Sequence, residues 1–219
     1  MTAPTDMTLD ELREALAPLL PGQAAFDGWN AKAIDAAAAL LGVPGPRARL
    51  AFPGGATDMI DAWFEAIDLD MAARCPPERL AAMKIRERIT RLVEARLDAA
   101  APHREALRPA LAILAFPQNA ATGVALAWRA ADHMWRLAGD QSTDFAYYTK
   151  RLTLAGVYGS TLLAFLDDHS EGLAETRAFL ARRIDNVMRF EKLKARLKPD
   201  GERHFSPARF LGRLRYPVA

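Results

Sequence analysis

The sequence lacks any run in which β-branched and polar residues alternate, the pattern that half-buried β-strands require. Its apolar residues recur at helical spacing instead, and Gly and Pro separate these runs as they separate helices. One predicted helix carries a clear apolar stripe made of Met59, Ile60, Trp63, Phe64 and Ile67. With 219 residues and a hydrophobic fraction of 51%, the chain can bury a sizeable core. The sequence therefore predicts an all-α fold.

The predicted helices fall into three groups along the chain. Three short helices within residues 1–55 resemble the helix-turn-helix head of TetR-type regulators. The longer helices of residues 56–198 resemble the ligand-binding and dimerisation bundle of that class, and residues 199–219 are predicted to hold a linker and an amphipathic tail helix. We expect the first helix to stop at Pro21, and a single helix to cover residues 77–100.

The longest uncharged stretch runs from Pro109 to Trp128, which is long enough to span a bilayer. Phe116 to Asn119 forms a turn signal in its middle, so we predict two buried helices that meet at a turn. The first fourteen residues lack the basic and apolar regions of a signal peptide. We therefore expect a cytoplasmic protein.

No catalytic or cofactor-binding motif is found in the sequence. G-x-x-x-x-G-K, G-x-G-x-x-G and G-x-S-x-G are all missing, and none of the four His residues has the E-x-x-H spacing of di-iron bundles. A single cysteine, Cys75, excludes an intramolecular disulfide framework and a multi-cysteine metal site. The sequence thus predicts a protein that is not an enzyme and that uses no metal or cofactor.

One helical face near the middle of the chain combines polar and aromatic residues. Asp144, Tyr147, Tyr148 and Arg151 occupy positions i, i+3, i+4 and i+7 of a predicted helix. Because this helix also has a separate apolar face, these four residues are not needed for the core. Two interpretations stay open: a solvated face with a Tyr–Arg stack, or a protein-docking patch, since Tyr and Arg are enriched at interface hot spots.

The residues around this face resemble a known family. The segment 139–151, with Gly139-Asp140-Gln141-Ser142-Thr143-Asp144-Phe145, Tyr148-Thr149 and Arg151, is similar to the signature of the ubiquinone-biosynthesis accessory family, the Coq-nine proteins. The resemblance implies a TetR-like fold that forms a homodimer. It also implies a non-catalytic protein that binds isoprenoid lipid or a quinone intermediate and assists the di-iron demethoxyubiquinone hydroxylase at the membrane.

The predicted site residues form two sets. For docking of the hydroxylase the resemblance points to Met134, Asp144, Tyr147, Tyr148 and Arg151, with Tyr147 at a position where other members can have Trp. Asp132 and Trp135 complete the predicted docking patch because they lie near it across the turn at residues 138–140. The lipid is expected inside the bundle, along its apolar helix faces. The predicted lipid-binding residues are Trp63, Phe64, Ile67, Leu111, Leu114 and Trp128.

Basic residues concentrate at the C-terminus. Residues 176–219 carry twelve Lys or Arg and four Asp or Glu, a net charge of +8. A short helix is expected after Ser206-Pro207, with an apolar side and a basic side that suit an anionic lipid surface. The predicted membrane-binding residues are Arg209, Phe210, Leu211, Arg213, Leu214 and Arg215. The alternative is that the apolar side packs back on the bundle. We expect peripheral attachment to the inner face of a bacterial cell membrane.

A TetR-type DNA-binding regulator is the main alternative function, because the fold would be the same. DNA affinity depends on Lys and Arg that contact phosphates. Residues 1–62 contain four Lys or Arg against eight Asp or Glu. The predicted recognition helix carries Arg47 and Arg49, but the turn after it has no cation. We therefore expect no nucleic-acid partner. An enzyme with an unrecognised site is the third class considered.

Overall fold

The structure, a computed structural model, describes the backbone of residues 6–197 and the side chains of residues 6–189. The described residues form helices and no β-strand, which confirms the predicted all-α class. In chain order the helices are α1 (Leu9–Leu16), α2 (Leu20–Asp27), α3 (Ala31–Leu40), α4 (Gly45–Arg49), α5 (Ala56–Arg74), α6 (Pro77–Ala81), α7 (Ile85–Ala100), α8 (Arg104–Ala115), α9 (Ala120–Leu137), α10 (Phe145–Leu166) and α11 (Ala174–Leu197). The chain divides into two units, residues 1–181 and residues 182–219.

Four short helices, α1–α4, begin the first unit. Thr8 starts α1 with a capping box: its hydroxyl accepts the N–H of Glu11 at 3.2 Å, and the Glu11 carboxylate accepts the N–H of Thr8 at 2.7 Å. The expected stop at Pro21 is wrong. Pro21 lies in the first turn of a further helix, α2, where its missing N–H costs no helical hydrogen bond. The predicted boundary at residue 55 stays a prediction.

The longer helices of the first unit pack around α9, which contacts α5, α7, α8 and α10. The expected single helix over residues 77–100 is instead two helices, α6 and α7. The break is stabilised by Glu87, whose carboxylate accepts the N–H of Lys84 at 2.9 Å and so caps the start of α7. A local capping interaction therefore decides where the longer helix begins.

Two tryptophans join the short helices to the longer ones. Trp29, just before α3, stacks on Trp63 of α5 with ring centroids 5.4 Å apart. The indole N–H of Trp29 donates to the carbonyl oxygen of Ala106 on α8 at 3.0 Å. Both indoles are buried, and large aromatic side chains contribute strongly to a core.

The uncharged stretch does form two helices that meet at a turn, as predicted. α8 ends at Ala115 and α9 begins at Ala120, and the chain bends by 90° between the helical segments Ile85–Ala115 and Pro117–Leu137. Among the described residues, no single helix is long and apolar enough to cross a bilayer. The predicted burial is only partial, because Phe116 is 53% exposed and Val124 is 71% exposed at the turn.

A buried ion pair lies between α5 and α7. Asp68 and Arg96 are in direct contact, and their side chains are 4% and 1% exposed. The Arg96 guanidinium also lies 5.0 Å from the ring centre of Tyr158 on α10. On α9, His133 Nδ1 lies 3.3 Å from the Asp68 carboxylate and Arg129 Nε lies 3.8 Å from it. Burial, with the charge of Arg129 nearby, lowers the pKa of His133.

We predict that Arg96→Met lowers the free energy of unfolding by about 3–5 kcal/mol, because it leaves the Asp68 carboxylate buried without its cation. The matched control is Arg74→Met, whose partner Asp70 forms an exposed i,i+4 pair on α5. We expect a change below about 1 kcal/mol in the control. Urea denaturation followed by circular dichroism measures both. Equal losses in the two variants would contradict the prediction.

Candidate functional site

The connection between α9 and α10 holds most of the predicted docking patch. Gly139 has φ of +87°, which L-residues rarely adopt, and so allows the chain to leave α9. The N–H of Asp140 then donates to the carbonyl oxygen of Trp135 at 2.9 Å. Asp144 caps α10, because its carboxylate accepts the N–H of Ala146 at 2.9 Å. These local bonds fix how α10 starts against α9.

Arg151 is the centre of a buried ion-pair network. Its side chain is 2% exposed; Nε donates to the Asp132 carboxylate at 2.6 Å, and Nη1 donates to the Asp140 carboxylate at 3.1 Å. The guanidinium carbon lies 3.5 Å from the ring centre of Tyr147. The Tyr147 hydroxyl donates to the Asp132 carboxylate at 3.3 Å. We call Asp132, Asp140, Tyr147 and Arg151 the Arg151 network.

Additional donors keep the network charged. The Asp140 carboxylate accepts Lys150 Nζ at 2.6 Å and Ser142 Oγ at 2.8 Å. Burial opposes ionisation of Asp140, but the hydrogen bonds from Lys150, Ser142 and Arg151 outweigh it and lower its pKa. Burial likewise opposes the charge on Arg151, and the bonds to Asp132 and Asp140 outweigh it and raise its pKa. Asp140 and Arg151 are therefore both ionised at neutral pH.

Three residues expected in a docking patch are buried instead of exposed. Met134 has no exposed surface, and the buried side chains of Asp132 and Arg151 pair with each other between α9 and α10. The reason is that α10 packs on α9 along this side, which the periodicity of α10 alone does not reveal. Trp135 is half-buried, and its indole N–H donates to the carbonyl oxygen of Lys150 at 3.0 Å. These four residues therefore lie beneath the exposed surface and support it.

The exposed part of the site is aromatic. Tyr148 is 59% exposed, and its ring centroid lies 5.1 Å from that of Tyr147 and 6.1 Å from that of Trp128. Trp128 also lies 6.2 Å from Tyr147. We call Trp128, Tyr147 and Tyr148 the aromatic cluster. Asp144, the other exposed member of the predicted patch, lies one turn before Tyr148 on the same helix.

Sequence reasoning missed two members of this site. Asp140 and Lys150 were not predicted as functional residues, yet their ion pair completes the environment of Arg151. Trp128 was predicted to bind lipid, and the structure places it in the aromatic cluster. Helical spacing does not predict this ion pair, because Asp140 lies in the connection before α10 and Lys150 lies within that helix.

The remaining predicted lipid-binding residues lie on α5 and α8. Trp63, Ile67 and Leu114 are buried, whereas Phe64 and Leu111 are half-buried. Trp63 also packs on Phe64, with ring centroids 5.5 Å apart. These side chains form part of the core, and their contact with lipid stays a prediction.

Further features bear on the predicted ligands. A groove runs along α7, and four of the six residues that line it carry charged side chains: Met83, Arg86, Glu87, Thr90, Arg91 and Glu94. Among residues 6–197, no group of three or more His, Cys, Asp or Glu residues could hold a metal ion. The predicted membrane-binding residues Arg209, Phe210, Leu211, Arg213, Leu214 and Arg215 lie outside the described residues.

We predict that buried and exposed residues of the site contribute very differently to the free energy of unfolding. Arg151→Met should lower the free energy of unfolding by about 3 kcal/mol, because two buried carboxylates lose their shared cation. Tyr148→Ala should change it by less than about 1 kcal/mol, because the ring is largely exposed. Chemical denaturation of both variants measures this. A Tyr148→Ala variant as unstable as Arg151→Met would show that Tyr148 belongs to the core.

The site lies in the part of the chain that matches a known family. Residues 120–191 match the COQ9 family model. The rat protein "Ubiquinone biosynthesis protein COQ9, mitochondrial" is 41% identical over 110 residues, which cover 50% of this chain and 35% of that protein. Its human counterpart is 38% identical over 110 residues, with coverage of 50% and 35%. In Xenopus laevis, "Ubiquinone biosynthesis protein COQ9-A, mitochondrial" is 32% identical over 168 residues, with coverage of 74% and 53%.

The matched part of the chain thus spans about a third to a half of the length of these relatives. Among solved structures, the crystal structure of the TetR transcriptional regulator from Nitrosomonas europaea ATCC 19718 superposes with a TM-score of 0.65 and 25% identity, covering 81% of this chain and 98% of that one. This confirms the predicted TetR-like fold. The chain is therefore a homologue of the COQ9 proteins, and the family resemblance predicted from residues 139–151 is confirmed.

Proposed function

We propose that this protein is a non-catalytic, lipid-binding accessory protein of ubiquinone biosynthesis that assists the demethoxyubiquinone hydroxylase at the membrane. The names of the relatives support the pathway. The observation that carries the partner proposal is the exposed aromatic cluster held by the Arg151 network. Both lie within residues 120–191, the segment that matches the family model.

The geometry suits protein docking because the anchor is pre-organised. Arg151 holds the Tyr147 ring from below, and Tyr147 meets Tyr148 edge to face, with an angle of 79° between the rings. A ring held in place loses little conformational entropy when a partner binds. Tyrosine also presents a large apolar face and a hydroxyl group, which is why it is frequent at hot spots. Tyr148 is the proposed anchor for the hydroxylase.

In the proposed function, the hydroxylase carries out the chemical step, and this chain binds the lipid and the hydroxylase. The lipid is proposed to contact Trp63, Phe64 and Ile67 on α5 and Leu111 and Leu114 on α8. These residues are apolar. An isoprenoid tail is stabilised by contact with apolar side chains and not by contact with the charged Asp68–Arg96 pair of the same bundle.

We expect Tyr148→Ala to weaken binding of the purified di-iron hydroxylase by about thirtyfold, which corresponds to the ~2 kcal/mol typical of a hot spot. Tyr148→Phe should retain most of the affinity if the ring is the anchor. Phe26→Ala on α2 is the control, because Phe26 is also exposed, at 92%, but lies outside the cluster. Capture on immobilised full-length protein measures all three. Unchanged binding by Tyr148→Ala would overturn the proposed anchor.

We also propose a homodimer, with α10 as part of its surface. Leu152 is 69% exposed and Leu163 is 62% exposed on this helix. Between them lie Gly156 and Gly159, where an added Cβ would meet nothing within 4 Å. The spacing of these four residues, 4-3-4, is the same in both directions along the helix. Two antiparallel copies related by a two-fold axis would therefore pair leucine with leucine and glycine with glycine.

Native mass spectrometry of the full-length protein tests the dimer and the lipid together. We expect a dimer mass with an added mass of isoprenoid lipid or quinone. Gly156→Gln should shift the protein toward monomer, because a long side chain prevents close helix approach. Leu40→Gln, at a 63% exposed site on α3, should not. A monomer at micromolar concentration would refute the dimer, and the lack of any lipid adduct would refute lipid binding.

A DNA-binding regulator is the second candidate, favoured by the TetR-type structural neighbour. The basic residues of α4 already have partners within the protein. Arg49 Nε donates to the Asp35 carboxylate at 2.8 Å, and Arg47 donates to the carbonyl oxygen of Met7. Phosphate binding would have to displace these bonds, so this function is less well supported. A gel-shift assay with duplex DNA at low salt separates the two candidates.

A further inference from the structure

The turn between α8 and α9 exposes an apolar corner. No Lys, Arg, Asp or Glu occurs from Pro109 to Trp128. Phe116 is 53% exposed at the turn, and Val124 is 71% exposed one turn into α9. The exposed residues here are apolar except for Gln118, and we define the α8–α9 corner by Ala112, Ala115, Phe116, Pro117, Ala121 and Val124. A largely apolar exposed surface without any charged residue indicates a contact site.

The backbone of the corner is internally hydrogen-bonded. The side-chain amide of Asn119 donates to the carbonyl oxygen of Ile113 at 2.9 Å, and the N–H of Asn119 donates to the carbonyl oxygen of Phe116 at 2.8 Å. Pro117 has no N–H to satisfy. At Gly123, a Cβ would come within 3.1 Å of the Leu114 carbonyl oxygen, so the two helices meet closely. Paired backbone groups are what a low-dielectric lipid environment requires.

Polarity rises in steps away from the tip of the corner. Trp128 follows Val124 by four residues, or about 6 Å along the axis of α9, and contacts Tyr148. Trp and Tyr are enriched where a membrane meets water. The first charges come behind this aromatic level: Arg129 pairs with Asp61 at 2.5 Å. With increasing distance from the turn, largely apolar, then aromatic, then charged side chains follow one another. Polarity rises in the same order from the interior of a bilayer to water.

The cations at the base of the corner are neutralised within the protein. Arg108, on the α8 side, pairs with Asp167 at 2.5 Å, as Arg129 does with Asp61. A contact made by this surface is therefore driven by burial of apolar area, and its strength should not depend on salt or on lipid charge. The basic C-terminal tail predicts the opposite behaviour.

We propose that the α8–α9 corner inserts into the interfacial region of a lipid bilayer and forms a membrane contact separate from the basic tail. The inference rests on the proposed membrane association and adds an uncharged, salt-insensitive component to it. It also orients the molecule, because Trp128 of the aromatic cluster lies about one turn after Val124 on α9 and contacts Tyr148 of α10. A protein bound at Tyr148 would then lie next to the lipid surface.

Flotation of full-length protein with phosphatidylcholine vesicles tests the proposal. Phe116→Glu and Val124→Glu should each reduce the bound fraction about tenfold, because a charge replaces apolar area that enters lipid. The effect should be the same at low and high salt. Phe26→Glu is the matched control, because it adds the same charge at an exposed apolar site on α2. Equal losses in the control and the corner variants would overturn the proposal.

A fluorescent label gives a second, direct measurement. Cys75 is the single cysteine and is buried, so Val124→Cys in a Cys75→Ala background provides one labelling site. An environment-sensitive dye there should shift to the blue on addition of vesicles, whereas a dye at Phe26→Cys should not. An unshifted dye on protein that floats would overturn the corner contact and leave the tail intact as the anchor.

Two other outcomes are decisive. If the wild-type protein floats with neither phosphatidylcholine nor anionic vesicles, both the corner contact and the proposed membrane association fail. If the dye at position 124 shifts without vesicles as the protein concentration rises, the corner is a contact between copies of the chain, and the proposal is overturned.

Discussion

The guanidinium of Arg151 and its two buried carboxylates hold α9 and α10 in one arrangement. Removing these charges from water costs several kcal/mol per ion, which only well-placed partners can offset. Asp132 and Asp140 provide those partners at 2.6 and 3.1 Å, and the Tyr147 ring covers the remaining face of the guanidinium. A shifted or rotated α10 would leave a buried charge unpaired. The network therefore selects the helix pairing that presents the aromatic cluster.

The interior of the first unit is not uniformly apolar, and this affects where lipid can bind. Asp68 and Arg96 place a buried ion pair between α5 and α7, with Tyr158 of α10 beside it. An isoprenoid tail gains nothing from contact with such a pair. The proposed lipid residues are instead apolar side chains of α5 and α8, such as Trp63 and Leu114. In the proposed function, the charged pair fixes the helices and the apolar faces bind the lipid.

The two proposed contact surfaces share a boundary at Trp128. This residue lies four positions after Val124 of the α8–α9 corner and packs against Tyr147 and Tyr148. In the proposed arrangement, the corner enters the lipid interface while Tyr148 meets the hydroxylase directly behind it. A partner held there would reach a lipid substrate without crossing water, where exposure of an isoprenoid tail is unfavourable.

The sequence by itself determined the features that depend on near neighbours along the chain. Helical spacing predicted the all-α class, Thr8 and Glu11 predicted a capping box, residues 116–119 predicted a turn, and residues 139–151 identified the family. Tertiary structure alone decided which polar and aromatic side chains outside the apolar stripes are buried. Periodicity places Arg151 near Tyr148 on α10, but the packing of α9 buries one and exposes the other. Asp68 and Arg96 meet only because α5 packs on α7. The spacing of residues along a helix fixes the direction in which each side chain projects from that helix. Whether the side chain is buried depends on neighbours that are distant in sequence.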